Sequence, residues 1–393
     1  MKTFLLTTAT AVVLLTPALA CAADAPKISG TLAVGANAND NIFATNFGKV
    51  SDTVFTLNGD LNLTRHSEVG DLSAYARIDL AHYADHSDEN ADDYSVGADG
   101  ALNLASGKVS AGASHVLATE SRRARVARRD TVKRTEYVVD EAHAAFVASI
   151  EAVRLTGKLS YSSSDYDNGR VRGTGAFALQ DDRDRTTLIQ SLRADFKADQ
   201  AVSFFVKAQH VGIDYDLAPP ASRHNRDSDT ASVTGGVTFN ATADLTGEIE
   251  AGWTKRTFDD AAFADVSDLA LSANLDWTPA QGTDVAFNAS RSLAEEVLTG
   301  SSIYVATVIG IEITHHASDR WALGGYVSRE RDDHKGIDRK DDVTAFGASA
   351  AFRVSDRVEA KLAYDFTTED SSGAQRSPGY DNGVVSVGLK ASF

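Results

Sequence analysis

About eighteen segments of this chain alternate apolar and polar residues with a period of two, and the connections between them alternate short and long. Successive side chains of a strand point to opposite faces, so each segment reads as a strand with one apolar face. Ile303 to Ile313 is the clearest, with Ile303, Val305, Ile309, Ile311 and Ile313 on one side and Tyr304, Ala306, Gly310 and Glu312 on the other. Short connections fall near residues 68–71, 105–108, 198–200, 242–244, 317–320 and 354–357, and long polar ones at 85–92, 120–133, 167–182, 217–228, 333–340 and 370–379. A soluble sandwich has no reason for that alternation. A transmembrane antiparallel up-and-down β-barrel does, because short periplasmic turns oppose long extracellular loops. The expectation is one all-β barrel of about 18 strands, with both termini on the short-turn side.

The ends of the chain agree with this. Met1-Lys2, the apolar run Phe4 to Leu15 and Pro17-Ala-Leu-Ala20 read as a signal peptide over residues 1–20, with cleavage as late as 23. Residues 21–393 then form a single outer-membrane barrel domain. Cys21 is the only Cys, so no internal disulfide is available; lipidation and removal both stay open for it. Beyond the signal no run approaches the roughly 20 apolar residues of a membrane helix. The last strand places Val385, Val387, Leu389 and the terminal Phe393 on its apolar face, a C-terminal signal for the barrel-assembly machinery. A net charge of −17 excludes nucleic acid as a partner.

Seven cations crowd one long connection: Arg122, Arg123, Arg125, Arg128, Arg129, Lys133 and Arg134. Its place makes it an external loop or one folded into the pore. Arginine suits bidentate capture of phosphate or carboxylate, so the functional readings are contact with lipopolysaccharide phosphates or guidance of an anionic sugar polymer. The plain reading, a solvated and mobile loop, is the expectation. The inner rows carry Arg77, Asp79, Asp99, Arg154, Lys158, Lys207, Glu248, Glu250, Asp276, Glu312, Glu359, Lys361, Asp365 and Lys390. Single-sign rings would set ion selectivity; these signs are mixed, which favours cross-strand pairing that stiffens a wide wall. Tyr83, Tyr94, Tyr137, Tyr161, Trp253, Trp277, Tyr304, Trp321, Phe352 and Phe366 lie near strand ends, as interface girdles do. The histidines are scattered without a nucleophile elbow, so no enzyme, cofactor or metal is expected.

Asn39-Asp-Asn-Ile-Phe-Ala-Thr45, Val50-Ser-Asp-Thr-Val-Phe55, Tyr83-Ala-Asp85, Asp92-Asp-Tyr94, Phe263 to Leu269, Asn288 to Ser292 and Gly336 to Asp342 together resemble the putative β-barrel porin 2 family over nearly the whole mature chain. The resemblance implies a Gram-negative outer-membrane barrel, and more loosely an association with exopolysaccharide production. Two functions follow as expectations. The first is a porin-like channel for passive passage of small polar solutes. The alternative is the barrel of an exopolysaccharide secretion system, working with a periplasmic polysaccharide-export protein. Outer-membrane lipids and lipopolysaccharide are the expected surroundings; the oligomeric state stays open.

Overall fold

A computed structural model of the protein describes residues 25–198, 201–219, 224–242, 244–296, 298 and 300–393. The expected signal peptide, residues 1–20, and Cys21 lie outside these residues. The strands are β1 (Lys27–Asn39), β2 (Asp52–His66), β3 (Gly70–Tyr83), β4 (Ala91–Leu104), β5 (Gly107–Thr119), β6 (Glu136–Ile150), β7 (Val153–Tyr166), a two-residue ribbon of β8 (Gly169–Arg170) and β9 (Phe177–Ala178), β10 (Arg185–Lys197), β11 (Val202–Tyr215), β12 (Ser228–Thr242), β13 (Leu245–Phe258), β14 (Val266–Ala280), β15 (Thr283–Glu295), β16 (Ile303–His316), β17 (Trp321–His334), β18 (Lys340–Ser355), β19 (Val358–Ser372) and β20 (Tyr380–Ser392). Apart from the ribbon they form one antiparallel sheet of 18 strands. Each strand pairs with its neighbours in sequence, and β1 also pairs with β20 from Thr31↔Ser392 to Asn39↔Val384. The sheet is therefore closed, which removes every free strand edge.

Phe393 completes this seam. Its backbone N–H and C=O exchange hydrogen bonds with Gly30 at 3.0 and 3.1 Å. A Cβ on Gly30 would lie 2.5 Å from the Phe393 ring, so only glycine admits the ring there.

Burial is inverted relative to a soluble domain. Large apolar side chains stand exposed along the outward rows: Val34, Phe55, Leu192, Ile309, Ile311, Leu362, Val385, Val387 and Leu389 among them. The buried ones are largely polar or charged, including Glu89, Arg122, Asp332, Asp341 and Glu369. Apolar groups thus face lipid, and the polar rows face the lumen. Tyr94, Tyr161, Trp253, Trp277 and Trp321 stand exposed, and Trp321 packs on Phe352 with centroids 4.9 Å apart, as an interface girdle requires. Three of the expected girdle residues belong elsewhere. Tyr137 stacks on Tyr166, Tyr304 packs on His334, and Tyr83 lies beneath Arg134, because their rows are the inner ones.

The outward face supplies one prediction. Val387→Arg should weaken folding into vesicles by about 2–4 kcal/mol, the cost of a cation facing the bilayer midplane, whereas Ser386→Arg, on the lumen row, should fold normally. Denaturant titration in lipid reads both; equal losses would mean that the rows do not face as described.

Candidate functional site

The loop between β5 and β6 carries the basic run, and it turns inward across the mouth of the barrel. From β5 the ring runs through β1 and β20 to β19, β18 and β17, so β17 stands close to the opposite wall. Arg125 nevertheless reaches it: Nε lies 2.6 Å from Asp332 Oδ2 on β17, and Nη1 lies 3.3 Å from Glu369 Oε2 on β19 and 3.8 Å from Asp341 on β18. Arg129 Nη2 donates to Glu369 Oε2 at 2.9 Å, and its guanidinium covers the Tyr380 ring. Arg123 donates to Asn382 Oδ1 on β20 at 3.1 Å. Asp332, Asp341, Glu369 and Asn382 occupy inner rows near the extracellular ends of four adjacent strands. Burial works against the charge on Arg125, yet the carboxylates of Asp332, Glu369, Glu330 and Asp341 outweigh it and raise the guanidinium above its ordinary pKa.

The near end of the loop is tied as firmly. Arg122 is 4% exposed and Glu89, in the β3–β4 loop, 1%. They meet in a bidentate pair at 3.0 and 2.8 Å, while Arg122 also donates to Thr131 Oγ1 and to the carbonyls of Arg128 and Thr131. A buried charge pair holds when both partners are hydrogen-bonded, and this one is. Arg172, from the loop carrying the β8–β9 ribbon, adds a contact to Glu89 at 3.3 Å and lies over Phe43. Arg183 of the same loop pairs with Glu120 at 2.6 Å. The β15–β16 connection also bends inward, where Glu296 binds His334 and accepts Arg226 Nη1 at its carbonyl.

A solvated, mobile loop was the expectation for residues 120–134; the structure overturns it, because the far wall and the β3–β4 loop supply buried carboxylates. Arg122, Arg123, Arg125 and Arg129 lie over the lumen, not on the outward rim. Arg128 pairs locally with Asp130, Arg134 comes within 3.9 Å of Glu89, and Lys133 is exposed. Above this crossing a cavity of about 630 Å³ opens, lined by Arg125, Arg129, Arg339, Arg376 and Glu369.

Below it the lumen wall is laced by cross-strand pairs. Arg193 holds Glu248 at 2.9 Å and, on its own strand, Asp195 at 2.7 Å, and covers Phe205. Lys207 holds Glu250 at 2.6 Å, Arg77 holds Asp60 at 2.7 Å, Asp99 meets His143, Asp79 accepts from Asn58, and Asp365 accepts from Tyr326. Glu359 stands opposite Lys390, next to Lys361. Arg154 and Lys158 line a groove of about 500 Å³ with Arg193 and Lys207. Asp276, Asp284 and Glu312 gather on β14–β16. Alternation places these charges on the inner rows; Arg193, on the inner row of β10 opposite in parity to Leu192 and Phe196, joins them with its partner Glu248 on β13.

One loop carboxyl is out of its usual range. Asp184 accepts the Tyr166 N–H at 2.7 Å, yet burial, then Asp165, Asp181 and Asp216, push its pKa up to about 6. A carboxyl raised above its unfolded value favours the folded loop when protonated, and that advantage is lost as pH rises through about 6. Amide exchange in residues 167–184 should therefore be slower at pH 5 than at pH 7.5 beyond the intrinsic pH effect, and Asp184→Asn should abolish the difference. Persistence of the difference in the variant would reject the assignment.

In solved structures the same fold recurs at low identity. OccAB2 of Acinetobacter baumannii superposes with a TM-score of 0.50 at 10% identity, covering 94% of this chain and 98% of that one. OpdL of Pseudomonas aeruginosa gives 0.49 at 12%, with the same coverage. The siderophore receptor PirA of A. baumannii gives 0.49 at 7%, covering 93% of this chain and 80% of that one. No curated protein matches the sequence. The family described as putative beta-barrel porin 2 matches over residues 27–393. With a closed 18-stranded antiparallel barrel of porin-like, outer-membrane type, the chain belongs to the putative β-barrel porin 2 family.

Proposed function

We propose that the protein is a channel for passive passage of small polar solutes, narrowed at its outer mouth by the β5–β6 loop. The observation that carries this reading is the polar inner wall beneath a loop anchored on both sides. A barrel of this strand number is wide enough for an aqueous lumen, and an inward loop restricts it without filling it. Internal pairing of the wall charges, as in Arg193–Glu248 and Lys207–Glu250, favours weak ion selectivity. Reconstitution in a planar bilayer should give stepwise conductance with a cation-to-anion permeability ratio near unity. A silent bilayer, together with loss of surface polysaccharide on deletion of the protein, would replace this reading by export of a polymer.

A further inference from the structure

The outward rows change character sharply near the extracellular ends of β15–β18. Along β17 the row is Trp321, Leu323, Gly325 and Val327, then Arg329, Arg331 and Asp333. Arg329 stands eight residues beyond Trp321, which at about 3.3 Å per residue and a strand tilt near 40° is roughly 20 Å up the membrane normal, close to the height of an apolar belt. Register places the neighbours at the same level. Lys340 lies opposite Asp333, and Asp342 lies opposite Arg331. Thr307 stands between Arg331 and Arg291.

Five cations, Arg291, Arg329, Arg331, Lys335 and Lys340, thus gather on this flank among Asp268, Asp333 and Asp342, with Asp370 beside Asp342. On other strands the outward rim carries the pairs His82–Asp92, His115–Asp140 and His210–Asp229 instead. In a chain of net charge −17, a rim segment on which cations outnumber carboxylates is a local exception. Arg331 is exposed, and its side chain has no hydrogen bond or ion pair among the described residues. The Arg329–Asp342 pair is accessible, with the arginine side chain 61% exposed. Exposed pairs of this kind hold weakly and give way to a doubly charged phosphate.

The wall also parts here. The β14–β15 ladder stops at Leu271↔Arg291 although β14 continues to Val266 and β15 to Glu295. Arg291 crosses the gap with a two-pronged contact to Asp268 at 2.8 and 2.9 Å. The cations therefore border a notch in the rim at the level where lipid headgroups lie.

We infer that this flank, the outward face of β15–β18, docks the phosphate groups of lipopolysaccharide in the outer leaflet. It is independent of whether the lumen conducts, and it differs from the basic loop, whose arginines face the mouth. Guanidinium groups hold phosphate by charge-assisted, often bidentate, hydrogen bonds, and several cations on adjacent strands match a headgroup with more than one phosphate.

The test uses the folded full chain in detergent, titrated with lipopolysaccharide, with phosphatase-treated lipopolysaccharide and with phosphatidylglycerol. The triple variant Arg329→Gln, Arg331→Gln, Lys340→Gln should bind lipopolysaccharide about tenfold more weakly or worse, as loss of several charge-assisted contacts implies, and should keep its heat-modifiable mobility. Lys255→Gln on β13, whose side chain pairs with Asp265 outside the cluster, should change nothing. Should the triple variant misfold, Arg331→Gln alone breaks no contact and should still lower affinity about threefold. Unchanged binding by the variants, equal binding of the phosphatase-treated form, or equal binding of phosphatidylglycerol would overturn the inference.

Discussion

Arg125→Gln should raise the conductance of the reconstituted protein. The wild-type guanidinium is the main tie between the β5–β6 loop and the far wall, where Asp332, Asp341 and Glu369 are almost fully buried. Removing one partner of a buried charge cluster costs about 3–5 kcal/mol, since the other charges are left uncompensated. At 1.4 kcal/mol per factor of ten, that increases the detached population of the loop by a factor of roughly a hundred to a few thousand. A loop that constricts the lumen then swings clear, and single-channel recordings should show a larger and noisier open level. Arg125→Lys should fall between, because it keeps the charge but loses the planar fork. Asp332→Asn should move conductance in the same direction. If Arg125→Gln leaves the conductance histogram of an open wild-type channel unaltered, the loop does not set the constriction.

Glu89→Ala should release the near end of the same loop. Arg122 would keep its carbonyl and Thr131 contacts but lose the one carboxylate it touches among the described residues, a change of the size just given. The basic run presents many trypsin sites that the wild-type protein hides by folding them over the lumen. Trypsin added to intact cells should cut within residues 120–135 at least roughly a hundredfold faster in the variant, since cleavage of an opened segment tracks its population. The closed wall should stay heat-modifiable. Glu89→Met combined with Arg122→Met should restore much of the protection, because it removes both halves of the buried pair while Arg172 and Arg134 keep their contacts to the Thr131 and Glu89 carbonyls. Equal digestion of Glu89→Ala and wild type would show that the Arg122–Glu89 pair does not order the loop.

The barrel was legible in the sequence because period-two alternation survives wherever one face meets lipid and the other water. It faded where that contrast ended. Val285, Phe287 and Ala289 alternate cleanly in the first half of a strand that runs from Thr283 to Glu295, and the alternation of Trp321 to Val327 gives way to charges before that strand ends at His334. Above the membrane both faces are wet, so polar residues occupy both rows while the ladder continues. The mouth was legible only in half. Seven clustered cations demanded counter-charges, and Asp332, Asp341 and Glu369 could be seen to fall near strand ends. Nothing local joins Arg125 to a carboxylate some two hundred positions further on; only closure of the ring brings β17 within reach of the β5 loop.

The seam between β1 and β20 also dictates what this protein needs in order to close. Its join takes the first strand and the last together, with Phe393 seated over Gly30 across it. A chain cut short by even one strand would hold two raw margins in place of a join. Such margins recruit any passing strand, so premature termination yields a sticky intermediate for the quality-control proteases, not a smaller working pore.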